Sequence, residues 1–400
     1  MAPSGPTPRR AVDTAVDTAV DTAVDTAVVT DPPDEVELFR VRVPLRSAHR
    51  SAHVEQSVRD SVLVRVRTSD GFGWGECPTL SEPGYATETT DQAWVALRDV
   101  LVPALLEGRP FDDVSVVDVA AEHPASVGAL LDAVLDADLR RSGRSLRASL
   151  DAAESVEMCG VVAAAGDSPS RAAAAALELA ESGVAMVKVK ITPGHDLDVI
   201  DAVRRAVDGL PVAADANGSY RLLGEPEERR RIEDLDRMGL AYIEQPFEPE
   251  TSLVHLRDVR EALRTPMALD ESITSVASLR DALDAAALDV LSVKPARLGG
   301  VTAAVDAVRV CVNAGVDAFV GGMFELGVGR AAAAAVAALD GCTLPTDLGP
   351  SDRYVDDDVT EPVVADGRGR LLVPDGPGIG REPLAERLDA WTVDHAAVIA

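Results

Sequence analysis

From residue 151 onward the sequence alternates short apolar runs with helix-patterned stretches, and this rhythm leaves few folds open. The runs are MCGVVAAA, VAMVKVKI, LPVAAD, LAYIE, PMALD, LDVLSVK, VDAFVGG and CTLPTD. Stretches such as SRAAAAALELAESG, DVIDAVRRAVDG and TAAVDAVRVCVNAG stand between them. Strands that alternate with helices run parallel, because each helix carries the chain back to the edge where it started. Eight runs favour closure over an open sheet, so residues 151–350 are predicted to form a (β/α)8-type, TIM-like barrel.

Five consecutive runs end in a charged residue: Lys190, Asp215, Glu244, Asp270 and Lys294. The intervals of 25, 29, 26 and 24 residues are about one βα unit each, so a barrel points all five into one mouth. A single acid after a strand ordinarily caps the next helix, and a single lysine ends in solvent. Five in succession, ordered Lys, acid, acid, acid, Lys, are costly unless they pair or hold an ion. Three carboxylates from neighbouring strands make an all-oxygen site, which suits Mg²⁺, with Mn²⁺ as a substitute. None of the six histidines ends a run, which argues against zinc.

Lys190 and Lys294 flank the acids, so each is assigned to one face of a bound substrate, where a neutral lysine accepts a proton. Lys188 shares a strand face with Lys190. It reads as the like-charged neighbour that favours the neutral form of Lys190, or as a partner for a substrate oxygen or a metal carboxylate. The chemistry that suits this set is removal of a proton next to a carboxylate, with the ion balancing the charge that develops on the oxygens.

The rest of the chain is organised differently. VELFRVRVPL and DSVLVRVRT alternate like half-buried strands, SDGFGWGEC reads as a turn and a third strand, and helical patterning fills Thr90 to Arg147. Residues 35–150 are therefore predicted to form an α+β domain. Residues 1–34 repeat AVDT four times between Pro-rich ends and hold too little apolar surface to fold alone, which reads as a disordered tail. A net charge of -29 repels phosphate backbones and anionic lipid, so neither nucleic acid nor a membrane is an expected partner. Four scattered cysteines and the lack of an apolar leader point to a reduced, cytoplasmic protein.

VKVK (187–190), DAN (215–217), IEQP (243–246), LDES (269–272) and SVKP (292–295) resemble the muconate-lactonising subgroup of the enolase superfamily. GGMFELGVGR (321–330), DLGPSDRYVDDDVTEP (347–362) and GWGEC (73–77) resemble its o-succinylbenzoate synthase / N-succinylamino acid racemase family, over about residues 36–380. The resemblance implies that Asp215, Glu244 and Asp270 bind magnesium, that Lys190 is the base on one face, and that Lys294 is the acid/base on the other. It places Asn217 beside the metal ligands and Gly321 and Gly322 next to the substrate. Residues 35–150 would cap the mouth, with the SAHRSAHVEQS loop and the region near Tyr85 touching the remote part of the substrate. Residues 351–400 would return to brace that cap.

The reaction implied first is synthesis of o-succinylbenzoate, by dehydration of a cyclohexadiene carboxylate on the menaquinone route. Racemisation of N-succinylamino acids fits the same residues, and muconate cycloisomerisation uses the same metal and lysines. Dipeptide epimerisation wants an Asp-x-Asp pair where this chain has Asp347-Leu348-Gly349. A non-catalytic barrel predicts decay of the strand-end set, and all five residues are present. Leu326 replaces an expected small hydroxyl residue and Val162 an expected serine, both making the pocket more apolar. RLLGEPEERRR lengthens the interval between Asp215 and Glu244 and reads as a surface variation. The expected partners are a small carboxylate substrate and further copies of the chain.

Overall fold

The computed structural model describes residues 32–50, 55–83, 86, 88–163, 168–221 and 226–400. The AVDT repeats, residues 51–54 of the SAHRSAHVEQS loop, Tyr85 and residues 222–225 lie outside the described residues, together with the expectations placed on them.

The alternating N-terminal segments form antiparallel strands β1 (Glu35–Arg50), β2 (Glu55–Thr68) and β3 (Gly71–Cys77). Both faces of this sheet are used. Val36, Leu38, Val62, Val64 and Val66 pack with helices of the same domain. Val41, Val43, Leu63 and Trp74 join the core shared with the barrel. In β3 a Cβ at Gly73 would meet Ala133 O at 2.1 Å, and one at Gly75 would meet Ala129 O at 2.0 Å. The helix Pro124–Arg141 therefore lies directly on the strand, a contact that only glycine allows.

A short strand β4 (Ser155–Glu157) precedes the parallel set β5 (Cys159–Val162), β6 (Met186–Lys190), β7 (Val212–Asp215), β8 (Ile243–Glu244), β9 (Met267–Leu269), β10 (Val290–Val293) and β11 (Asp317–Val320). These seven, β5 to β11, stand in sequence order in one sheet, each beside the next. The eighth run, CTLPTD, was expected as a strand but makes a single bridge, Thr346 to Met158. Pro345 has no N–H to give to a ladder, which keeps the segment irregular. It still spans the gap: Leu344 N–H reaches Ala318 O (3.2 Å), and Thr346 exchanges backbone bonds with Glu157 (2.9 Å) and Cys159 (2.7 Å). Small residues and two stacked rings fill the space beneath the strand ends: Cys159, Met186, Ala213, Ala268 and Val290, with Tyr242 against Phe319.

Strand β12 (Arg370–Leu372) pairs with β4, and β13 (Thr392–Ile399) pairs antiparallel with β1. The cap sheet thus has the order β13-β1-β2-β3, and the chain's last strand lies in it. All four cysteines are free thiols, and no described helix is long and apolar enough to cross a membrane.

Candidate active site

Parallel register sets the strand ends level. Lys190 pairs across with Asp215, Asp215 with Glu244, and Glu244 with Ala268, two residues before Asp270. The side chains meet as this register requires. Lys190 Nζ donates to Asp215 Oδ2 (3.0 Å) and to Asn217 Oδ1 (2.6 Å). Lys188 Nζ donates to Glu244 Oε2 (2.6 Å) and Asp347 Oδ2 (2.5 Å), and stands 3.9 Å from Asp215 Oδ2. On the far side, Lys294 Nζ lies 3.5 Å from Asp270 Oδ2 and donates to Gly322 O (3.1 Å). Arg297 forms an ion pair with Asp270 Oδ1. Lys188, Asp215, Glu244, Asp270 and Lys294 are all buried.

The turns that follow the strands are shaped to aim these groups. Asn217, Gln245 and Phe324 each have positive φ, a conformation that non-glycine residues adopt where surrounding contacts hold it. For Asn217 those contacts are its own N–H to Asp215 Oδ1 (3.0 Å) and its amide to Glu271 Oε1 (3.0 Å). Gln245 Oε1 accepts from the N–H groups of Asp270 (3.1 Å) and Ser272 (3.2 Å), fixing the turn that presents Asp270. Gly321 has a steric role: a Cβ there would stand 2.5 Å from Lys294 Nζ and 3.0 Å from Ser292 Oγ.

Burial and charge pull the ionisable groups in different directions. Burial opposes the charge of Lys188, but Asp347 and Glu244 outweigh it and hold its pKa well above the usual lysine value. Burial likewise works against Asp270, yet the Arg297 and Lys294 cations keep it below the usual carboxylate range. Glu244 is pushed up to about 8 by burial, with Asp215 and Asp270 adding repulsion and Lys188 opposing.

The donor set suits a hard cation. Asp215, Glu244 and Asp270 supply only oxygens, and Glu244 Oε1 is buried with no hydrogen-bond partner. As they stand, no three acidic, His or Cys side chains among the described residues converge tightly on one point. Glu244 leans on Lys188, and Asp270 on Arg297 and Lys294.

Sequence reasoning missed four members. Asp347 closes the ring of strand ends through Lys188 and the Gly322 N–H (3.0 Å), and its signal was present, since the eighth run also ends in an acid. Arg297 and Gln245 left no periodic signal. Glu271 follows Asp270 and carries a buried, unpartnered Oε2. Leu326 is buried at the start of the helix Gly327–Ala337, and Val162 is buried in β5.

A family model described as enolase C-terminal domain-like matches residues 171–387, and with the cap and the strand-end set it defines an enzyme of the enolase superfamily. An N-succinylamino acid racemase from an Amycolatopsis species is 40% identical over 361 residues, 89% of this chain and 96% of the relative. An o-succinylbenzoate synthase from Geobacillus stearothermophilus is 36% identical over 342 residues, 84% of this chain and 89% of the relative. A solved structure, a probable mandelate racemase from Alicyclobacillus acidocaldarius, is 36% identical and superposes with a TM-score of 0.84 over 91% of this chain and 97% of its own. This chain belongs to the o-succinylbenzoate synthase / N-succinylamino acid racemase family, in the muconate-lactonising subgroup.

Proposed function

We propose that this protein removes the proton α to the carboxylate of a small substrate, using Lys190 and Lys294 on opposite faces. The observation that carries the reading is the position of the two lysines. They end β6 and follow β10, and the three carboxylates stand on the strands between them. Asp215, Glu244 and Asp270 would hold magnesium, which would supply positive charge that makes the α-proton of a bound carboxylate more acidic. The chain's own residues do the rest. Lys190 takes the proton on its face, while Asn217 holds its Nζ in line. Lys294, as a cation, balances the charge on the opposite face. Lys188 serves the carboxylates: its ammonium is engaged by Glu244 and Asp347, which supports the second of the two readings made for it.

The leading reaction is o-succinylbenzoate synthesis, in which the proton taken by Lys190 and the departing hydroxyl leave together as water. Racemisation of N-succinylamino acids is the second reading. The relative that is 40% identical is a racemase of that class, and two lysines on two faces are what exchange in both directions requires. One assay set separates them: o-succinylbenzoate formation with Mg²⁺, and deuterium exchange at the α-carbon of N-succinylamino acids of each configuration. Lys190→Ala and Lys294→Ala are run beside wild type. Turnover by wild type, with each variant losing exchange of one configuration, is the expected result. A wild type that binds Mg²⁺ but neither forms product nor exchanges deuterium overturns the substrate class.

A further inference from the structure

We infer that Glu76, a residue of the cap, is a positioning residue for the Lys294 face of the site. This rests on the assignment of Lys294 to proton transfer and adds to it a group from another domain. Glu76 lies in β3 and is buried. Its two oxygens reach across the domain seam to the start of the helix Gly327–Ala337. Leu326 N–H donates to Oε1 (2.8 Å) and Gly329 N–H to Oε2 (2.8 Å), while Ser61 Oγ, in β2, donates to Oε1 (3.0 Å). The first N–H groups of any helix lack partners within it, and a carboxylate there is favoured by both hydrogen bonding and the helix dipole. Asp358, from the segment after the barrel, takes the Gly327 N–H between them (2.9 Å).

The segment so held is the one that meets Lys294. It leaves β11 at Gly321, whose missing Cβ makes room for Lys294, and Gly322 O accepts from Lys294 Nζ. Met323 N–H then donates to Glu325 Oε1 (2.8 Å), and the next anchor is Leu326 on Glu76. Lys190 Nζ, by contrast, is held by Asp215 and Asn217, on and just after the adjacent strand. Beside Glu76 the seam also holds a small cleft of about 20 Å³, lined by Glu76, Asp132 and Glu325 among others.

The test is Glu76→Gln. An amide has one acceptor oxygen for two facing N–H groups, so its NH₂ must stand against Leu326 or Gly329. The expected result is roughly a 10- to 100-fold loss of deuterium exchange for the configuration that Lys294→Ala abolishes. The configuration that depends on Lys190 should be nearly unaffected, and backbone amide exchange should speed up over residues 321–329 but not over 215–219. Equal loss for both configurations, or no loss with unchanged protection at 321–329, overturns the inference. Ser61→Ala removes one hydrogen bond to Glu76 without touching its charge and decides the matter if Glu76→Gln does not fold. A smaller asymmetry of the same sign supports positioning, and a symmetric or absent effect rules it out. If wild type exchanges neither substrate, the proposed function fails, and the amide-exchange comparison still decides whether Glu76 holds the segment.

Discussion

The two sides of the mouth are built from different amounts of chain. On one side, Lys190 is held by Asp215 and Asn217, all within one strand-to-strand step. Its side chain keeps 18% of its surface exposed. On the other side, the Lys294 side chain is 5% exposed and is set by Asp270, by the Gly322 carbonyl and by the gap at Gly321. That segment is anchored in turn by Glu76 of the cap and Asp358 of the return segment. Among the described residues, the contacts of one face come from barrel strands and the turns after them; those of the other also draw on the cap and the return segment. Damage far from the chemistry should therefore reach the Lys294 face first.

The hardest way to break this contrast is to remove the lysines themselves. Lys190→Ala and Lys294→Ala should each lower turnover by about 10²- to 10⁴-fold, the usual worth of a positioned acid or base. Each should spare exchange at the face served by the other, as read by enantiomer-resolved deuterium exchange. Loss of both exchanges from either single change would mean that the faces are not independent.

Lys188 sits beneath both sides, and its removal should register in stability more than in facial preference. Lys188→Met leaves Glu244 and Asp347 as buried carboxylates without their cation. Breaking a buried pair from one side costs about 3–5 kcal/mol, so urea unfolding should show a loss near that size. Excess Mg²⁺ should return part of it if Glu244 binds the ion, since a ligand at 100 times its Kd stabilises by about 2.7 kcal/mol. An unchanged midpoint would show that the two carboxylates find other partners.

Gly321→Ala tests the steric half of the Lys294 side. The new Cβ would stand 2.5 Å from Nζ and 2.9 Å from Cε, so the ammonium has to move. A displacement near 1 Å can cost about 100-fold, and the loss should fall on the Lys294 face alone. Equal loss on both faces would place the fault in the barrel as a whole.

These assignments show which parts could be read in advance. The strand-end rule found Lys190, Asp215, Glu244, Asp270 and Lys294 because each stands where a run ends, and parallel register then makes neighbours of residues some 25 positions apart. Asp347 obeys the same rule, but Pro345 breaks the strand pattern before it, and its value as the partner of Lys188 was hidden. Arg297 is one helical turn beyond Lys294, in a segment whose sequence announces only a helix start at Pro295. Glu76 was legible as part of GWGEC but not as an anchor, because its partners are backbone N–H groups some 250 residues away, and no side-chain pattern encodes them. Gly321 was expected near the substrate, and its position against Lys294 depends on where that side chain lies, which only the folded barrel decides.

The smallest effect, and the one that best sharpens the contrast, belongs to Asn217. Its amide oxygen accepts from Lys190 Nζ at 2.6 Å and its amide nitrogen donates to Glu271 at 3.0 Å, while its backbone N–H caps Asp215. Alanine here would confuse two effects, since φ is +43° and a Cβ at that angle is strained without the side-chain contacts. Asn217→Gly removes the amide, leaves the N–H to Asp215 in place and suits the left-handed backbone. Loss of the contact to Lys190 should cost about 1 kcal/mol, or roughly fivefold, in exchange at the Lys190 face, while the broken contact to Glu271 should lower stability. Because the described contacts of this face come from barrel strands and the turns after them, cap substitutions such as Glu76→Gln should combine with Asn217→Gly additively, each lowering its own exchange rate. A double variant that loses more than the product of the two single losses would show that the faces communicate, and the independence of the Lys190 side would have to be given up.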